Sequence, residues 1–126
     1  MRSIITTLLV ALFMAQVYTA SSHEIYTGLR GKDSQLCCGG SDCSVTTYRM
    51  FKGRYEFYTR EGQWVEIPED RITFLPVPGD DVTNTETNRA HLCYRPPTDY
   101  DRSGPNIVNV FGPIYLYCAF INPGSI

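Results

Sequence analysis

Lysine is nearly missing from this chain of 126 residues: Lys32 and Lys52 are far apart, and acidic side chains outnumber basic ones 13 to 11. Nucleic-acid binding wants a basic stripe and an anionic membrane surface wants a basic cluster, so the charge pattern argues against both partners. No C-x-x-C pair is present, which argues against a dithiol oxidoreductase, and no G-x-S-x-G elbow marks a serine hydrolase. The cysteines also lack the two paired motifs of a structural zinc site. No internal repeat, heptad or low-complexity tract is visible. No apolar run reaches the roughly 20 residues of a membrane span.

What is present begins with MRSIITTLLVALFMAQVYTASS. One charge at Arg2, an apolar stretch from Ile4 to Val17 and a small-residue ending describe a secretory signal peptide. Small residues at the third and first positions before the cut favour cleavage after Ser22, where Ala20 and Ser22 occupy them. A cut after Ala20 puts the bulky Tyr18 at the third position. The expected organisation is a signal peptide over 1–22 and one small exported domain over 23–126, periplasmic or secreted. Losing Arg2 leaves ten basic against thirteen acidic side chains, a charge of about −3.

Five cysteines, Cys37, Cys38, Cys43, Cys93 and Cys118, follow the leader. Exported domains use cysteine as a staple, and an odd count leaves one thiol over, available for a disulfide-linked dimer. Spacing does not choose among the possible pairings. The one expected here joins Cys93 to Cys118, and Cys43 to Cys37 or Cys38.

Residues 43–75 carry the clearest pattern. CSVTTYRMF is β-branched and aromatic, and Lys52-Gly53 follows as a turn. RYEFYT alternates, with Tyr55 and Phe57 on one face and Arg54, Glu56 and Tyr58 on the other. After Glu61-Gly62, QWVEI sets Val65 and Ile67 against Trp64 and Glu66, and RITFL is a fourth strand. Such a series predicts an antiparallel meander. HLCYR, closed by Pro96-Pro97, is a further strand. VNVFGPIYLYCAFI reads as a central one, with Ile114, Leu116, Cys118 and Phe120 on one face and Tyr115, Tyr117 and Ala119 on the other. Residues 23–42 read as irregular, with Ile25, Tyr26 and Leu29 turning against the core, and 76–90 and 98–106 read as loops. The fold class expected is all-β or β-dominated, a small antiparallel meander closing into a barrel or sandwich and stapled by disulfides.

Three functional readings follow. The first is a binding or structural domain for an unknown protein or small-molecule ligand, with Tyr48, Tyr58 and Trp64 as an aromatic surface. The second is a periplasmic copper-binding protein. Cleavage after Ser22 makes His23 the first residue. Its amino group and imidazole, with the imidazole of His91 (the other histidine of the chain), would form a three-nitrogen copper site. Cleavage after Ala20 gives Ser-Ser-His instead, a square-planar copper or nickel motif. Against both stands the plainer role for His91, a hydrogen bond within the fold on the same strand face as Cys93. The third reading is a hydrolase assembled from Ser41, Asp42 and His91. No catalytic residue is expected.

The order of these features resembles a group of small exported bacterial proteins. It runs from a leader, His23 and Tyr26 through CC-x-x-x-DC (Cys37, Cys38, Asp42, Cys43) and G-x-W-V-x-I-P (Gly62, Trp64, Val65, Ile67, Pro68). H-x-C (His91, Cys93) and a late Cys118, Phe120 and Pro123 complete it. The resemblance implies export and a cysteine framework and no activity. The serine-rich junction and the long 97–112 segment depart from the pattern.

Overall fold

The computed structural model describes residues 24–32, 34–37, 42–80 and 87–125. Each strand of the meander forms where β-branched and aromatic residues alternate with polar ones. β1 (Cys43–Phe51), β2 (Arg54–Tyr58) and β3 (Trp64–Glu66) are joined by turns whose left-handed positions fall at Lys52-Gly53 and at Gly62. Pro68 then ends the meander, and a 3₁₀ turn (Glu69–Arg71) carries the chain to β4 (Ile72–Thr73). β5 (Arg89–Arg95), α1 (Asp99–Ser103), a second 3₁₀ turn (Pro105–Asn109), β6 (Val110–Phe111) and β7 (Ile114–Ile121) follow.

The strands form one sheet in the order β3-β2-β1-β5-β7-β4, with β6 also on β7, curled into a nearly closed barrel. All pairings are antiparallel except β4 on β7, which is parallel. RITFL is thus a two-residue strand that crosses to the far edge instead of extending the meander.

The barrel interior is filled by Tyr48, Phe57, Val65, Ile67, Leu92, Tyr94 and their apolar neighbours. β5 is buried along its centre because it carries two cores. Ala90, Leu92 and Tyr94 face the interior, while Cys93 points outward into a second cluster with Tyr26, Cys37, Cys43, Val77, Cys118 and Phe120. Ile25 and Leu29 pack on that cluster, so the segment read as irregular is the cover of the outer face of β5 and β7.

The faces of β7 differ from simple alternation. Cys93 lies opposite Cys118, but Tyr94 lies opposite Leu116, so Tyr117 is an extra residue, a β-bulge. A bulge moves every later side chain to the other face. Ile114 and Leu116 therefore share the interior with Ala119 and Ile121, and Cys118 and Phe120 turn outward.

The bridges are Cys37–Cys118 and Cys43–Cys93, which replaces the expected pairing. Cys43, Cys93 and Cys118 stand in one row across three adjacent strands. Cys93 has a cysteine on either side and bonds the one on β1, with Cα atoms 3.9 Å apart. Cys118 instead bonds Cys37 in the covering segment and so fastens that cover to the sheet. Gly31 lies against this bridge: a Cβ built there would be 2.7 Å from Cys118 Sγ. Cys38, the fifth cysteine, lies outside the described residues.

The 97–112 segment is structured. Thr98 caps α1 in a reciprocal capping box with Asp101. Asp101 also takes both guanidinium nitrogens of Arg95, at 2.6 and 3.1 Å. Those bonds, Arg95 first, hold its carboxyl well below the usual carboxylate range.

Candidate functional site

Two arrangements bring together chemically active side chains. The first lies under the covering segment. His91 is 2% exposed. Its Nδ1 lies 2.8 Å from the Tyr26 hydroxyl and its Nε2 2.8 Å from Asp80 Oδ2. Asp80 also receives Arg89, with Nη2–Oδ1 at 2.8 Å and Nε–Oδ2 at 3.1 Å. The bond to Arg89 is the main reason the Asp80 carboxyl is held down to about 2, and His91 adds to it. Burial pushes His91 below its ordinary value, with Asp80 opposing that shift. The consistent protonation is a neutral ring that donates from Nε2 to the carboxylate and accepts from Tyr26 at Nδ1.

Every hydrogen-bonding site of the His91 ring is thus in use, and water does not reach it. A copper ion at His91 would have to take one ring nitrogen from Tyr26 or Asp80. The described residues contain no group of three or more metal-ligating side chains. His23 lies outside the described residues. Of the hydrolase reading, Ser41 lies outside the described residues. Asp42 is engaged through its backbone carbonyl, which accepts from Tyr94 N–H. The network joins the cover, the loop bearing Asp80 and β5.

The second arrangement is the outer face of β1–β3. Of the aromatic residues expected to share a surface, Tyr48 is excluded. It pairs with Phe57 and both point into the barrel, where Tyr48 is buried. Tyr58 and Trp64 are opposite each other on the outside, with ring centroids 5.0 Å apart. The Arg49 guanidinium lies 4.1 Å from the Trp64 ring and 5.0 Å from Phe51. Glu56, its cross-strand partner, fixes Arg49 by a 2.8 Å ion pair. Tyr58, Trp64, Arg49 and Phe51 therefore form one continuous stack. Alternation within one strand does not relate Tyr48 on β1 to Tyr58 on β2; the β1–β2 register turns Tyr48 inward with Phe57 and brings Arg49 and Phe51 to the stack.

Two depressions flank the stack. A cleft of about 380 Å³ lies among Phe51, Lys52, Arg54, Glu56 and Glu66. A groove of about 390 Å³ runs between Trp64, Val65, Glu66 and Pro68 on one bank and residues 110–113 on the other. Glu66 lines both. The groove marks the seam where the barrel fails to close.

This combination defines a disulfide-stapled, nearly closed β-barrel domain with an aromatic–cationic outer face. The chain matches no family model, no curated protein and no solved structure. No described helix is long and apolar enough to cross a membrane.

Proposed function

We propose that the protein is an exported binding domain, periplasmic or secreted, that recognises a protein partner through the outer face of β1–β3. The observation that carries this reading is the stack of Tyr58, Trp64, Arg49 and Phe51, with Phe51 47% and Tyr58 40% exposed. Trp, Tyr and Arg are the residue types that dominate binding energies at protein interfaces. Here they are ordered before contact, by Glu56 and by one another, which lowers the entropy lost on binding. Arg49 covers the Trp64 ring, so that ring is less suited to stacking on a sugar than to edge contacts with a protein. Two disulfides suit the oxidising compartment to which the leader points.

A photo-crosslinking phenylalanine analogue at position 58, in the exported protein of its own host, tests this. We expect a discrete light-dependent adduct that is lost with Arg49→Ala and absent when the probe replaces Tyr100, which is 66% exposed on α1. An adduct formed equally at both positions, or unaffected by Arg49→Ala in a protein with both disulfides intact, argues against this face.

A further inference from the structure

We infer that the partner contributes an extended peptide strand, bearing a basic residue, that inserts into the seam between β3 and β6. This rests on the binding reading above and names the class of partner. It begins with the hydrogen bonds of β3. Ile67 N–H donates to Tyr55 C=O at 3.0 Å, and Thr59 N–H to Gln63 C=O at 2.8 Å. Positions 63, 65 and 67 therefore spend their backbone groups on β2. In an antiparallel ladder the intervening residues point the other way, so N–H and C=O of Trp64 and Glu66 face the seam. No described residue bonds them there. Across the groove, β6 is paired with β7 and with no other described strand.

An edge with unpaired backbone groups is a template for an added strand. Here the edge is short and ends at Pro68, which limits the insert to a few residues rather than an indefinite sheet. Its two banks differ in a way that selects the insert. Val65 and Phe111 form an apolar floor, with Val65 4% exposed and Phe111 packed on the interior core. Immediately past Pro68, Glu69 and Asp70 are exposed and have no cationic partner among the described residues. Arg71 beside them donates to Val108 C=O and Asn109 Oδ1 and lies over Phe111, on the opposite bank. Two exposed carboxylates therefore follow directly on the edge strand, and a Lys or Arg on the incoming strand would match them.

The probe is a panel of blocked hexapeptides of alternating Thr and Val that end in Lys, titrated into the ¹⁵N-labelled, oxidised mature protein. Parallel titrations use the same peptides with alternate amides N-methylated, and with Glu in place of Lys. We expect saturable shifts at the amides of Trp64, Glu66, Val110 and Phe111, weakened about tenfold or more by N-methylation and by the Lys-to-Glu exchange. Glu66→Pro removes an N–H that faces the seam and no ladder bond to β2, a place where an edge strand tolerates proline, and abolishes the shifts. Glu69→Lys with Asp70→Lys reverses the preference between the Lys and Glu peptides and does not depend on the proline variant folding. Absence of shifts across the panel up to about 1 mM overturns the inference. So does equal binding of the N-methylated peptides, or a concentration-dependent dimer that occupies the seam without peptide. Failure here with the position-58 adduct intact leaves the binding face standing. Loss of both removes the binding reading as well.

Discussion

At the scale of single residues the deciding feature is His91, a buried ring with each nitrogen committed. Tyr26→Phe deletes the donor to Nδ1 and leaves a buried acceptor unpaired, a change that costs about 1–3 kcal/mol. Thermal unfolding of the oxidised protein at pH 7 measures it, and an unchanged midpoint would show that the contact carries no stability. The pH dependence has a defined sign. His91 is lowered in the fold, so below its ordinary value near 6.5 the unfolded chain binds the proton more readily. Its contribution is complete above that pH and declines as the pH falls below it. Asp80 is also lowered, to about 2, so its contribution is complete above the ordinary carboxylate value and is lost between about pH 4 and pH 2. Urea unfolding as a function of pH should show a plateau above pH 7 and two successive losses of stability on acidification. Asp80→Asn should lower stability at pH 7 and flatten the second loss.

At the scale of elements, the covering segment and β7 depend on each other. Gly31 allows the segment to cross the Cys37–Cys118 bridge where a methyl group would lie within 2.7 Å of sulfur. Gly31→Ala should therefore force the cover outward and destabilise the oxidised protein by about 1–3 kcal/mol. Hydrogen exchange locates the effect: protection should fall at Leu29 and Cys37, whose backbones are bonded to each other and to Tyr26, while the β1–β2 hairpin is unchanged. Equal loss across the barrel would show the cover to be inseparable from the core. On the far side of β5, α1 rests on its capping box. Thr98→Ala should cost about 1 kcal/mol and free Asp101 from one of its partners.

For the whole molecule, the two bridges do different work. Cys43–Cys93 ties adjacent strands across a separation of 50 residues, and Cys37–Cys118 ties the cover to the sheet across 81. Chain-entropy arguments give each about 4 kcal/mol, a large share of the stability of a domain this small. Replacing Cys37 and Cys118 together by serine should lower the unfolding midpoint and increase exchange in the cover first, since the interior core of β1, β2 and β5 holds no atom of that bridge. Peptide mapping without reduction should recover Cys37 with Cys118 and Cys43 with Cys93. Recovery of a Cys93–Cys118 peptide would overturn the arrangement.

The sequence by itself determined the local rules. Alternation placed Tyr55, Phe57, Val65 and Ile67 inside and Arg54, Glu56, Trp64 and Glu66 outside, because a strand has a side-chain period of two wherever its register is regular. It also set the β-dominated class, the turns at Lys52-Gly53 and Glu61-Gly62, and the shared facing of His91 and Cys93. What lay beyond it were relations between distant segments. Which sulfur meets which depends on strand order and on a cover that no periodic pattern announces. The faces of β7 past Tyr117 depend on a bulge, which costs one residue in register and leaves no mark in composition. Tyr48 turned inward because its partner is Phe57, and Arg49 reached Trp64 only once β1, β2 and β3 lay side by side. The partners of His91 stand 65 and 11 residues away along the chain. Hydrophobic alternation acts over neighbours in sequence, whereas disulfides, buried hydrogen bonds and the open seam act over neighbours in space, and only the tertiary structure decided those.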